Sequence, residues 1–414
     1  IQEVNFQDVL ELDRNDPLAG KRQQFELPEN VVYLDGNSLG AMPHAARDRA
    51  QQVIDDQWAQ DLVRSWNTHN WIDLPTRVGE KIAPLLGAGP GQVVCCDSTS
   101  VNLFKLLCSA LEMQAERRLV ISQKDNFPAD LYMVQGLGSL GRDGLCELVV
   151  VEEEEVDGRL DEEVAVLLLT HVNFRTGKVH DMRRLTELAH AKGILVIWDL
   201  AHSAGAVPLE LDDCNVDFAI GCGYKYLNGG PGAPGFLYVA QRHQQNAKPV
   251  LSGWMGHRSP FSFEEDYRPA AGAQRFLCGT PPILSMSVLD AALSVFADVD
   301  MQALRAKSVA LAELFLKLVG DYECLASLKL ISPAESHERG SQLAFSHTDA
   351  YAICQVLIER DVIADFRAPD VVRFGFAPLY LRYQDIWNAI HLLTGIMVDK
   401  TYLEEKYSHV QTVT

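Results

Sequence analysis

Four short stretches of this chain are apolar at nearly every position, and they limit its fold more than any other feature. They are Val164–Thr170, Ile194–Asp199, Phe218–Ile220 and Phe236–Val239. A strand with one wet face alternates apolar and polar residues, whereas a strand without alternation is buried on both faces. Helical patterns separate these runs, so the sequence predicts a mainly parallel sheet covered by helices. Val93–Cys96, Leu119–Ser122 and Leu148–Val151 read as further strands of the same sheet. After about residue 290 the pattern changes. Helical stretches over 286–298 and 301–319 precede short runs at Lys329–Ile331, Gln342–Phe345 and Val371–Phe374. Helices are expected near 350–360 and 384–400. The expected fold class is α/β: a large domain over 46–290 and a smaller C-terminal α/β domain over 291–414. An N-terminal segment, 1–45, is expected to pack near the smaller domain.

The bulk properties exclude several partners. The formal charge of −20 argues against nucleic acid or an anionic membrane, both of which need basic patches. A small anionic ligand needs only a local cationic site. No apolar run reaches the roughly 18 residues of a membrane-spanning helix. The opening Ile1-Gln-Glu-Val-Asn is polar and acidic, does not read as a signal peptide, and lacks an initiator methionine, as a trimmed terminus would. Nine cysteines, an odd number without CxxC spacing, read as thiols in a reducing cytoplasm. No HExxH or comparable spacing appears, so no catalytic metal is expected. The acidic run Glu152 to Glu155 reads as a solvated face. Gly136-Leu-Gly-Ser-Leu-Gly141 fits GxGxxG, but a helical pattern precedes it and a strand follows. A dinucleotide site needs the opposite order.

Ligands of such sheets bind beyond the carboxyl ends of the strands. Ser98, Thr170, Asp199 and Lys225 fall at or just after those ends. Lys225 sits between two tyrosines in a glycine-rich loop, a poor place for a solvated side chain. Burial there favours an amine that acts as nucleophile and base. Asp199, at a strand end 26 residues earlier, is placed to keep a pyridine nitrogen protonated, with His202 nearby. This pair suits pyridoxal phosphate held as an imine to Lys225. Asp97-Ser98-Thr99-Ser100 opens a helical pattern, and backbone N–H groups with hydroxyls form an anion site. Phe127-Pro-Ala-Asp130 alone reads as a strand-to-helix turn that could set a ring over a cofactor and a carboxylate at its edge. Arg373 has the fork geometry for a carboxylate, although its pattern alone favours a surface ion pair.

Longer segments carry a resemblance across almost the whole chain. They include Tyr33-Leu-Asp-Gly-Asn-Ser-Leu-Gly40, Arg64-Ser-Trp-Asn67, Asp97-Ser-Thr-Ser-Val-Asn-Leu-Phe-Lys105 and Asn126-Phe-Pro-Ala-Asp130. Thr170-His-Val-Asn-Phe-Arg-Thr-Gly177, Trp198-Asp-Leu-Ala-His-Ser-Ala-Gly-Ala-Val-Pro208, Gly223-Tyr-Lys-Tyr-Leu-Asn-Gly-Gly-Pro-Gly232, Ser252-Gly-Trp-Met-Gly-His257, Cys278-Gly-Thr-Pro-Pro282 and Arg373-Phe-Gly-Phe376 continue it. In these the chain resembles the kynureninase family, fold-type I pyridoxal phosphate enzymes related to class V aminotransferases and cysteine desulfurases. The resemblance implies hydrolysis of L-kynurenine, or its 3-hydroxy form, to anthranilate or 3-hydroxyanthranilate and L-alanine. It implies that Ser98, Thr99, Tyr224, Trp254 and Thr280 hold the phosphate, with Trp254 and Thr280 coming from the neighbouring subunit of a homodimer. Phe127 would stack on the ring, and Asp130, Thr170, Asp199 and His202 would complete its contacts. Arg373 would grip the substrate carboxylate, with Ser38 and Trp66 also at the substrate, and Tyr224 would shuttle protons. Ser98 stands where threonine is expected in bacterial relatives, and Pro281 where glutamine is expected. The alternative within the superfamily is a cysteine desulfurase or transaminase.

Overall fold

The computed structural model describes residues 4–141 and 143–409. Its centre is a seven-stranded sheet in the order Val93–Cys95, Gly235–Val239, Phe218–Cys222, Leu195–Asp199, Val164–Thr170, Leu119–Gln123, Glu147–Val151. Only Gly235–Val239 runs against its neighbours, so the sheet is mainly parallel, as expected. Every residue of Val164–Thr170, Phe218–Cys222 and Gly235–Val239 is buried, which is why these segments need no polar face. Two apolar cores form, one on each side of the sheet. Val196 and Trp198 enter one and Ile197 the other, so alternate residues of a single strand serve both.

The helix Thr99–Met113 follows the edge strand Val93–Cys95 and packs across the sheet, with buried residues around most of its circumference. Gly136 and Gly138 lie in the helix Pro128–Gly138, and the strand Glu147–Val151 follows. The GxGxxG match therefore lacks a preceding strand, as its sequence context indicates. The helix expected at 286–298 instead starts at Ile283, directly after Pro281-Pro282, and tightens into a 3₁₀ turn over Leu293–Phe296. The missing amide of a proline costs nothing before a helix start, so that pair marks the boundary.

A second, antiparallel sheet orders Lys329–Leu330, Gln342–Ser346, Val371–Gly375 and Asp365–Arg367. The helices Met301–Asp321, Ala350–Glu359 and Tyr383–Asp399 accompany it. The N-terminal segment joins this part of the molecule. Val32–Tyr33 pairs in parallel with Val362–Ile363, and the helix Phe6–Arg14 packs on Tyr383–Asp399. Among the described residues, no helix is long and apolar enough to cross a membrane. No His, Cys, Asp and Glu cluster suited to a metal occurs among them either.

Candidate active site

The carboxyl ends of the parallel strands open into a cavity of about 710 Å³. Its walls include Ser98, Thr99, Phe127, Asp130, Thr170, Asp199, His202, Tyr224, Lys225 and Thr280. The strand ends position most of these. Thr170 and Asp199 are opposite partners in register at the ends of two adjacent parallel strands. Ser98 is the N-cap of Thr99–Met113, its hydroxyl accepting from the Val101 amide at 3.3 Å. Asp97 just before it adopts a left-handed backbone (φ 46°), a conformation that aspartate tolerates better than most residues.

Three features suit one end of the cavity to an anion. The first is the helix terminus itself, whose free amides favour negative charge. The second is Gly235 in the facing strand: a Cβ there would lie 3.1 Å from the Thr99 amide and 2.9 Å from the Gly221 carbonyl. Only glycine allows this closeness. The third has no signal in the sequence. Lys105, fully buried two turns into the helix, forms an ion pair with Asp97 and donates to the Phe276 carbonyl at 2.7 Å. Burial disfavours its charge, but Cys96 and Asp97 more than restore it. Asp97 is thus neutralised from behind and does not repel an anion at the helix end.

At the other end, Lys225 Nζ lies 3.0 Å from His202 Nε2. His202 is buried, and its proton affinity falls well below the ordinary range through burial, then through the charges of Lys225 and Arg373. The ring is therefore neutral. Gln342 lies within electrostatic reach of it, yet Nδ1 has no hydrogen bond of acceptable geometry within the protein. Asp199 is also buried, with Oδ1 accepting from the Ala201 amide at 2.8 Å. Burial raises its proton affinity. Asp130 beside it is raised much further, by burial and then by the Asp199 charge. Two adjacent buried carboxyls cannot both ionise, so Asp130 keeps the shared proton and donates to Asp199. Asn126 Nδ2 and Thr170 Oγ1 reach Asp130 Oδ2 at 3.1 and 3.4 Å, which fixes the pair. Tyr224, half-buried, keeps its phenolic proton because burial and Cys222 oppose ionisation.

The N-terminal segment closes one wall. Leu39 lines the cavity, and the Gly40 amide donates to the Tyr224 carbonyl at 2.8 Å. A Cβ on Gly40 would sit 2.3 Å from the Lys225 carbonyl, so the segment touches the lysine loop backbone to backbone.

Other expected residues lie elsewhere within the single chain. Arg373 is almost fully buried behind the wall, not on the surface; it does make an ion pair, with Asp365. Ser38 joins the same pair, its Oγ donating to Asp365 Oδ2 at 2.6 Å. Trp66 stands edge-on to Trp71 at 5.8 Å and is not part of the cavity wall. Trp254 is 38% exposed in an aromatic cluster with Phe261 and Phe263, outside the wall. Thr280, by contrast, reaches the cavity of its own chain.

A family model, the kynureninase C-terminal domain, matches residues 304–393. Kynureninase of Burkholderia pseudomallei (strain 1106a) is 49% identical over 414 residues, covering 99% of both chains. Kynureninase of Pseudomonas fluorescens is 48% identical over 412 residues, covering 98% of this chain and 99% of its own. The chain belongs to the kynureninase family. Among solved structures, the cysteine desulfurase CsdA from Escherichia coli superposes with a TM-score of 0.76 at 21% identity, covering 92% of this chain and 98% of that one. C-DES with glycine covalently linked to its PLP cofactor superposes at 0.75 with 16% identity, covering 90% and 98%. At these identities the two likenesses show the fold alone, an α/β architecture around a mainly parallel sheet.

Proposed function

We propose that this chain is a pyridoxal phosphate-dependent hydrolase that splits the Cβ–Cγ bond of L-kynurenine, giving anthranilate and L-alanine. 3-Hydroxykynurenine would give 3-hydroxyanthranilate by the same route. The observation that carries the reading is Lys225 Nζ at 3.0 Å from a neutral His202, in one cavity with the Asp199–Asp130 pair and a hydroxyl-rich helix terminus. The donor set fits the cofactor. The Ser98 and Thr99 helix end suits its phosphate, Asp199 its pyridine nitrogen, and His202, with an unpartnered buried Nδ1, its ring oxygen. Phe127, 40% exposed and edge-on to Phe174 at 5.3 Å, offers a ring face. Bound there and joined to Lys225, pyridoxal phosphate supplies an electron sink for charge developing beside the substrate nitrogen.

The remaining work falls to the chain's own groups. Lys225, once free, removes the Cα proton, and the neutral His202 accepts a hydrogen bond from its amine. Asp199 stays ionised because Asp130 holds the shared proton, so it can keep a pyridine nitrogen protonated. Tyr224, with its proton retained, gives it to the γ-carbonyl oxygen as water adds and takes a proton back from that water. When the Cβ–Cγ bond then breaks, the pair left on Cβ would pass to the electron sink, Tyr224 supplies the proton that Cβ gains, and a hydroxyl of the hydrate returns one to it. Such transfers are worth about 10²–10⁴ in rate. Arg373 receives the substrate carboxylate. No cysteine forms part of the cavity wall among the described residues. Cys354 is buried on the helix Ala350–Glu359 and Cys324 lies on a short turn, which disfavours a desulfurase.

The working enzyme is a homodimer in the cytoplasm. The exposed aromatic cluster around Trp254 supports the dimer, and nine free thiols support a reducing compartment. Trp66 and Trp254 would reach the partner's cavity. The test is to give the cofactor-loaded enzyme L-kynurenine and L-cysteine in parallel. Anthranilate fluorescence from the first without sulfide from the second is expected. Sulfide without anthranilate would reject the assignment.

A further inference from the structure

Arg373 and Asp365 are opposite partners on adjacent antiparallel strands, so both side chains leave the sheet on one face. Arg373 Nε donates to Asp365 Oδ1 at 2.8 Å, and Nη2 donates to Oδ2. Nη2 also reaches Ser38 Oγ at 3.2 Å. Nη1 donates to the Phe174 carbonyl, and Phe174 lines the cavity. Asp365 is itself saturated. Besides both Arg373 nitrogens it takes Ser38 Oγ at 2.6 Å and Arg367 Nη2 at 2.9 Å, and it is 1% exposed.

We propose that Asp365 is a positioning residue for the substrate-carboxylate site: it clamps the Nε–Nη2 edge of Arg373 and leaves the Nη1 end to meet the carboxylate. The proposal rests on the kynurenine reading above and on Arg373 as the carboxylate ligand. An arriving carboxylate could displace Asp365, with Ser38 beside it, from the Nε–Nη2 edge of Arg373, or the Phe174 carbonyl from Nη1. Displacing Asp365 would strand a buried anion that four donors now satisfy. Displacing the Phe174 carbonyl breaks one bond to a neutral acceptor at the cavity wall. The second route costs far less. Arg373 therefore keeps its clamp and trades Phe174 for the substrate. Its charge already reaches into the cavity, since it is one cause of the depressed proton affinity of His202.

The test uses the cofactor-loaded enzyme and two probes: L-alanine, which carries the carboxylate, and 2-aminoacetophenone, which carries only the aromatic ketone. In Asp365→Asn, KM for L-kynurenine and the inhibition constant of L-alanine should rise about tenfold or more, the size of one lost charge-assisted contact. Inhibition by 2-aminoacetophenone should stay within about twofold, and kcat should change less than KM. Equal weakening of both probes, or unchanged L-alanine binding, would overturn the proposal. If Asp365→Asn does not fold, Asp365→Glu replaces it. That variant keeps the charge but shifts the clamp by one methylene, and unchanged L-alanine binding in it is again contradictory. Failure of the wild-type enzyme to release anthranilate would instead reject the functional reading; the two probes would then be titrated by the change in cofactor absorbance, which scores Asp365 without turnover.

Discussion

At the scale of single residues, the site works by deciding which groups keep protons. Asp130 and Tyr224 keep theirs, whereas His202 stays neutral, and in each case burial is the leading cause. Asp35, in the N-terminal segment, extends this logic. Burial and the nearby Asp365 charge push its carboxyl up to about 7. Ser38, Arg373 and Arg367 adjoin it, as do Tyr33, Tyr226, Tyr380 and Cys354. A carboxyl raised on folding is bound more tightly to its proton in the native state, so its contribution is present below about pH 4 and lost as pH climbs through about 7. A rise of that size bounds the loss at about 4 kcal/mol. Asp35→Asn should therefore flatten the fall in stability of the cofactor-free protein between about pH 4 and 7. Parallel melting curves for the two proteins across that range would contradict this. Residue identities at the cavity were legible because they cluster just after strand ends. Lys105 was not, because a lysine on the helix after a Ser-Thr-Ser cap looks like any exposed helical lysine. Only the packing of Asp97 and Phe276 around it gives it a purpose.

At the scale of elements, legibility followed the hydrophobic run. Val164–Thr170 matches its expected limits, and Phe218–Ile220 lengthens by two residues because Gly221 and Cys222 still pair with Phe236 and Gly235. The cross-strand meeting of Asp365 with Arg373 was hidden, since it depends on hairpin register and not on local pattern. So was the hub at Asp217, which ties three elements to the loop that carries it. His190 Nε2, His243 Nε2 and Arg242 Nη2 each lie 2.7 Å from its oxygens, and the Val196 amide donates at 2.8 Å. These partners outweigh burial and hold the carboxyl far below its ordinary range. The stability it contributes is present above the ordinary carboxylate range and lost only as pH falls towards its depressed native value. Asp217→Asn should cost about 3–5 kcal/mol, the usual penalty for removing one partner of a buried ion pair. Denaturant titration at neutral pH measures it, and a loss below about 1 kcal/mol would make the hub incidental.

At the scale of the whole molecule, the N-terminal segment reaches from the smaller sheet, where the Gly375 amide donates to the Leu34 carbonyl at 2.6 Å, to the lysine loop. Val32 and Tyr33 pair with Val362 and Ile363, and seven residues later Gly40 meets Tyr224 and Lys225. The division at 1–45, 46–290 and 291–414 is our proposal for how these parts organise, with the segment as the strap between the other two. The dimer we propose belongs to the same scale. Trp254 at 38%, Phe261 at 57% and Phe263 at 76% exposure form an aromatic group too large to leave wet without reason. Sedimentation of the cofactor-loaded enzyme should give twice the chain mass, and Phe263→Ser should shift it towards the monomer and weaken activity. A wild-type monomer with full activity would reject the shared site.

Every role proposed for the cavity depends on its cofactor being carried on Lys225. Borohydride reduction of the pyridoxal phosphate-loaded enzyme, followed by digestion and mass spectrometry, reads that linkage without relying on turnover. The predicted result is one pyridoxyl group per chain, on Lys225. A label on another lysine such as Lys105, or none, would contradict it.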